Sequence, residues 1–184
     1  MRIHRRLSVA ELAAIVSEAL NSAGIQAVLT GGSVVTIYAG NEWESRDLDF
    51  VVARVDRRRI DGILAGLGFR RESVRLFSHP DHTHGVDLCP WPITLGEEFV
   101  DQWDTLETTK GNLEILSPTQ CVKDRLTGFY HANDKQSLDQ AVAVFIKHDV
   151  KLHEIERWSA KERSIEKFHE FREALRRGAS TGRG

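Results

Sequence analysis

The sequence predicts an α+β protein, a small mixed β-sheet with early helices followed by a helical C-terminal segment. Three observations carry this expectation. Asp47-Leu48-Asp49-Phe50 alternates polar and apolar residues, the period of a half-buried strand. Leu29-Thr30-Gly31-Gly32-Ser33 joins a short apolar run to a short helical one through a glycine turn. From Ser117 onward the apolar spacing is helical.

The elements follow in order. Ser8 and Glu11 form a capping-box pattern, and Leu12, Ile15, Val16, Ala19 and Leu20 then recur at helical spacing until Gly24. Residues 25–30 read as a strand. The Gly-Gly-Ser turn opens a short helix over 33–38, stopped by Gly40. Residues 47–53 form a strand with Asp47 and Asp49 on one face and Leu48 and Phe50 on the other. Asp56 caps a helix to about residue 65, which Gly66 and Gly68 end. Residues 69–78 are extended, 79–83 turn, and 84–89 return as a strand that Pro90 and Pro92 stop. Residues 104–116 form a hairpin around Lys110-Gly111-Asn112. Ser117-Pro118 starts a helix, and helices are expected over 118–131, 136–148 and 151–175. The organisation expected is a core over 1–116, a helical segment over 117–177 and a disordered tail over 178–184.

Length and charge narrow the class. The chain has 184 residues, 41% of them hydrophobic, enough for one domain with its own core. It holds 25 basic and 27 acidic residues, so no global electrostatic argument for nucleic acid arises, although a local basic cleft would escape that test. Arg57-Arg58-Arg59 reads as a solvated helix start. Two cysteines, Cys89 and Cys121, make no disulfide framework and read as small core residues of a protein in a reducing compartment. Glu11 and Glu18 interrupt the apolar run behind the basic N-terminus, and no stretch is long enough to span a membrane. A cytoplasmic protein is expected.

The chemistry lies in the glycine turn and the aspartates. Two carboxylates side by side repel each other unless a divalent cation lies between them. Hard oxygen ligands suit magnesium, which also takes phosphate oxygens. Gly31 and Gly32 let backbone approach such phosphates closely, next to a helix start.

At these residues the chain resembles the nucleotidyltransferase superfamily that includes DNA polymerase beta. The pattern is an apolar residue, Gly-Gly-Ser, about a dozen residues, then Asp-apolar-Asp-apolar. The resemblance implies that Asp47 and Asp49 hold two magnesium ions. It also implies a third carboxylate on a later strand, for which Asp87 in His84-Gly85-Val86-Asp87-Leu88-Cys89 is the candidate. Gly31, Gly32 and Ser33 would grip a nucleoside triphosphate such as ATP, with Lys123 or Arg125 from the first C-terminal helix on its phosphates. The implied reaction moves a nucleoside monophosphate onto an acceptor hydroxyl of a tRNA, another RNA, a protein or a small molecule. Small members of this kind resemble toxins of toxin–antitoxin systems, which implies an antitoxin partner, or antibiotic nucleotidyltransferases.

Other residues carry second readings. His79, His82 and His84 with Asp81 have ligands suited to zinc, but also fit a polar hairpin tip. A His-based metal hydrolase and a non-catalytic interaction protein that keeps the fold are the competing functions. Ser45 shares the face of Asp47 and is positioned to orient a carboxylate, while Arg46 reads as a structural ion pair. Trp43 borders the site or packs its loop; Trp91, Trp103 and Trp158 read as core or interface anchors.

Overall fold

The computed structural model describes residues 3–53 and 57–181. Helix α1 (Val9–Ser22) leads into β1 (Ala27–Thr30), α2 (Gly31–Ala39), a 3-10 turn (Asn41–Trp43) and β2 (Asp47–Val52). Next come α3 (Arg57–Gly66), β3 (Arg70–Arg71), β4 (Leu76–His79) and β5 (His82–Pro90). A small hairpin, β6 (Thr94–Leu95) with β7 (Glu98–Phe99), precedes β8 (Asp104–Thr108) and β9 (Gly111–Ile115). Four helices finish the described chain: α4 (Pro118–Ala132), α5 (Lys135–Lys147), α6 (Leu152–Lys161) and α7 (Ile165–Thr181). The α+β class and the order of strands before helices are therefore as expected.

Seven strands make one mixed sheet in the order β3-β4-β5-β2-β1-β9-β8. β2 lies at its middle, antiparallel to β1 and parallel to β5. Alternation sets its orientation. Leu48 and Phe50 are fully buried while Asp47 and Asp49 are only half-buried. Burying two such apolar side chains is worth several kcal/mol, so a one-residue slip is strongly disfavoured. α1 is fixed by the capping box, since the Ser8 hydroxyl accepts from the Glu11 N–H and the Glu11 carboxylate accepts from the Ser8 N–H at 2.9 Å.

The C-terminal helices hold α2 in place. The Tyr38 hydroxyl donates to the Leu116 carbonyl at 2.8 Å. His148 Nε2 bonds the Tyr38 carbonyl at 2.8 Å, and Lys147 Nζ donates to the Ala39 carbonyl. Gly40, with φ at +113°, closes the helix.

Several boundaries differ from expectation. The single helix over 151–175 is two, because Arg163 takes a left-handed φ of +54° and reverses the chain between α6 and α7. Neither glycine nor proline marks that break. Trp158, Phe168 and Phe171 are buried on both sides of it, so tertiary packing favours two shorter helices. The β6–β7 hairpin follows the prolines unannounced. α7 continues to Thr181 through residues expected to be a disordered tail; 182–184 lie outside the described residues, as does Asp56, the expected cap of α3. Among the described residues no helix is long and apolar enough to cross a membrane.

Candidate active site

The parallel register of β2 and β5 sets Asp49 opposite Asp87 and Asp47 opposite Gly85. Asp49 and Asp87 thus stand side by side. Cys89, two residues beyond Asp87 on the same face, joins them, and one ligand atom from each of the three lies within 4.8 Å of the others. Asp47 shares the face but not this cluster. Its carboxylate lies beside Gly85, where a Cβ would come within 2.7 Å of Asp47 Oδ1.

The glycine turn packs against the same strand, because β1 pairs Thr30 with Asp49. Gly31 has φ at +71°, and a Cβ there would overlap Asp49 Oδ2. Conformation and space both demand glycine. Two hydroxyls of the turn bond the backbone of β2, and a third, from Ser45 just before the strand, bonds it as well. Thr30 Oγ1 donates to the Asp49 carbonyl at 3.1 Å. Ser33 Oγ and Ser45 Oγ both donate to the Asp47 carbonyl, at 2.5 and 3.1 Å. Ser33 is fully buried, so its hydroxyl, expected on the phosphates, is committed to the strand instead. Ser45 holds a carbonyl rather than a carboxylate. No side chain of Thr30 caps α2, which leaves the first-turn N–H groups of the helix for an anion.

Burial pushes the Asp49 carboxyl up to about 6, and the neighbouring Asp87 pushes the same way, while Arg125 opposes them. Crowded acids of this kind call for a cation. One is supplied by the protein. Arg75, just before β4, donates through Nε to Asp87 Oδ1 at 2.9 Å and through Nη2 to Asp87 Oδ2 at 2.6 Å. Burial, together with Asp49 and Asp87, pushes the Cys89 thiol up to about 11, so it is protonated in this arrangement.

α4 offers two basic residues, and the structure separates them. Arg125 acts electrostatically on Asp49, pairs with Asp124 and lies 3.4 Å from Gln140 Oε1. Its Nε is buried without a partner among the described residues. Lys123 is buried and donates to Glu98 Oε1 at 2.6 Å, on the wall of a separate cavity with Trp103 and Asp149. Lys123 therefore faces Glu98, not the aspartates.

Other expectations resolve simply. His79 Nε2 bonds the Leu67 carbonyl and His82 Nε2 the Leu7 carbonyl, while their Nδ1 atoms accept from the N–H groups of Asp81 and His84. These rings pin a hairpin to its surroundings. Arg46 is exposed and makes no ion pair among the described residues; its carbonyl accepts from the Gly85 N–H. Trp43 packs against the core with its indole N–H unpartnered among the described residues. Arg75 and Cys89 were missed as site residues. Alternation from Asp87 to Cys89 was the one available signal.

No protein-family model and no curated protein matches this chain. Solved structures do. An antigenic nucleotidyltransferase-like protein from Paracoccidioides brasiliensis superposes with a TM-score of 0.57 at 15% identity, covering 77% of each chain. ANT(2")-Ia in complex with adenylyl-2"-tobramycin gives a TM-score of 0.48 at 14% identity over 93% of this chain and 98% of its own. A solution structure of the same antibiotic-resistance factor gives 0.47 at 15% over 94% and 93%. The first of these places the chain in the nucleotidyltransferase fold.

Proposed function

We propose, from a nucleotidyltransferase fold that sets Asp49 beside Asp87 and Gly31 against Asp49, that this protein is a magnesium-dependent nucleotidyltransferase. The observation that carries the reading is the register. Two strands distant in sequence put carboxylates on one face, where burial and mutual repulsion already raise Asp49 to about 6. A fold held for interaction alone has no physical use for that crowding.

The donor set fits the metal. Asp49 and Asp87, with Asp47 two residues back on the same face, are hard oxygen ligands suited to magnesium. Bound there, magnesium ions supply charge neutralisation for the phosphates and for the attacking and leaving oxygens. The protein's own groups do the rest. N–H groups at the start of α2, at Gly31 and Gly32, hold the triphosphate, and Arg125 adds a fixed positive charge to it. Asp87 faces the acceptor and takes its hydroxyl proton. The acceptor oxygen forms a bond to the α-phosphorus, the bond to the β-phosphate oxygen breaks, and pyrophosphate leaves.

Calorimetric titration of each nucleoside triphosphate with magnesium, into wild type and Asp49→Asn, tests this. Magnesium-dependent binding lost in the variant supports it. A folded wild type that binds none of the four overturns it.

A further inference from the structure

The aspartates already hold a cation that the reaction above does not use. The Arg75 guanidinium grips Asp87 as a fork, Nε on Oδ1 at 2.9 Å and Nη2 on Oδ2 at 2.6 Å. Nη2 also reaches Cys89 Sγ at 3.5 Å, and Asp49 acts on the same charge. Arg75 thus engages all three members of the Asp49–Asp87–Cys89 cluster. Within that cluster only the two aspartates offer oxygen, since a thiol sulfur is a soft donor that magnesium does not take.

The chain aims this side chain at Asp87. The β4–β5 register sets Leu76, the next residue, opposite Asp87. The Arg75 carbonyl accepts from the Leu88 N–H at 3.1 Å, and the Arg75 N–H donates to Ser73 Oγ at 3.3 Å. With its backbone fixed beside Asp87, a planar guanidinium forms the fork at little cost in chain entropy. Half of the Arg75 side chain is exposed, so the ion pair adds little to stability. The fold does not explain it.

Charge sets how many divalent ions this face takes. Asp47, Asp49 and Asp87 bring −3 and Arg75 returns +1, while Asp124 and Arg125 cancel each other. One divalent ion neutralises the −2 that remains. A second ion would reverse the sign of the face. It would also bring a double positive charge against a guanidinium bound to the same Asp87 oxygens.

We infer that Arg75 takes the place of one of the two metal ions that the family resemblance implies, so that this protein works with a single divalent ion per nucleotide. The inference rests on the transferase reading and corrects its metal count. Asp47 and Asp49 remain for the ion, and Asp87 leaves the ligand set. Asp87 then meets the acceptor as a carboxylate base. The hydroxyl proton passes to an Asp87 oxygen, and the electron pair it leaves forms the bond to phosphorus. Arg75 is a positioning residue that acts through Asp87.

The test is equilibrium dialysis against manganese, which takes the same oxygen ligands as magnesium, and each of the four nucleoside triphosphates with a methylene bridge between the α- and β-phosphorus, which cannot be cleaved there. Bound metal and bound nucleotide are counted, and the manganese is read by electron paramagnetic resonance. Wild type should retain one manganese per nucleotide, with the spectrum of an isolated ion. Arg75→Ala should retain two, with the broadened spectrum of a close pair, because the vacated Asp87 takes the second ion. Arg57→Ala removes a neighbouring arginine of the same surface and leaves the fork, so it should stay at one. Two ions on wild type, or one on Arg75→Ala, overturns the inference with the transferase reading intact. A second ion on Arg57→Ala overturns it too, because surface charge and not the fork would then set the count. Wild type that retains neither nucleotide nor manganese overturns both.

Discussion

Asp49→Asn is the sharpest probe of the electrostatics at the site, because it removes a charge that folding makes costly. In the folded protein the Asp49 carboxyl is pushed up to about 6 from 3.8, first by burial and then by Asp87. The folded state therefore holds the Asp49 proton more tightly than the unfolded chain does. The Asp49 contribution to stability is greatest while both states are protonated, below about pH 4. It falls as pH rises through the unfolded and then the folded value. A gap of about 2 pKa units at ~1.36 kcal/mol each amounts to roughly 3 kcal/mol of lost stability above pH 7. Asparagine keeps the shape without the charge. In metal-free buffer, the stability of the variant relative to wild type should rise by about 2–3 kcal/mol between pH 4 and pH 7.5. For a chain of this size that is roughly 5–10 °C in Tm. Urea unfolding of both proteins across that range, in a chelator, measures it. Magnesium at pH 7.5 should then stabilise wild type and leave the variant unmoved. A difference between the two proteins that stays flat with pH would refute the claim that burial and Asp87 oppose the Asp49 charge.

Three further outcomes are expected. Gly31→Ala places a Cβ against Asp49 Oδ2 at a left-handed φ, so it should destabilise by about 1–3 kcal/mol and abolish magnesium-dependent nucleotide binding, read by thermal melts and calorimetry. Arg75→Ala frees Asp87 from a half-exposed ion pair, so stability should change by less than about 1 kcal/mol while magnesium affinity rises severalfold, read by calorimetry. Arg125→Gln should raise the KM for the nucleoside triphosphate about tenfold or more, whereas Lys123→Met, whose partner is Glu98, should leave that KM unchanged in the same steady-state assay.

Local features of the fold were open to reading from the chain. The alternation around Asp47 and Asp49, the capping boxes at Ser8 and Ser117, and the proline start of α4 all depend on residues within one turn or one strand. What lay beyond reach was register. The pairing of Asp49 with Asp87 spans 38 positions and depends on which strand β5 chooses as a neighbour. The family resemblance suggested it, and no local rule does. Strand pairing hid Arg75 as well, which meets Asp87 across 12 positions because β4 and β5 fold back on each other. The Ser33 hydroxyl was expected on phosphate because a hydroxyl beside two glycines looks like a ligand for it, whereas here it donates to the Asp47 carbonyl. Its position in the first turn of α2 aims it into the sheet. Lys123 and Arg125 were inseparable in sequence, since two residues on a helix point about 200° apart and nothing local says which direction is the site.

The two halves of this site are fastened separately. On the side of the glycine turn, the Thr30 and Ser33 hydroxyls fasten the start of α2 to the backbone of β2, and the far end of α2 is clamped by Tyr38, His148 and Lys147. That half behaves as one body, and a change in any of its parts is felt by Asp47 and Asp49 together. On the other side, Asp87 faces an exposed guanidinium on a short connection between two-residue β3 and β4. That wall is tied within itself, by Arg71 and Ser73 across the connection and by the Arg75 carbonyl to the Leu88 N–H, and not to the glycine turn. On the proposed reading, substitutions at its rim would alter which acceptor is taken without disturbing the grip on the nucleotide, and divergence among proteins of this architecture should collect on that side of the sheet.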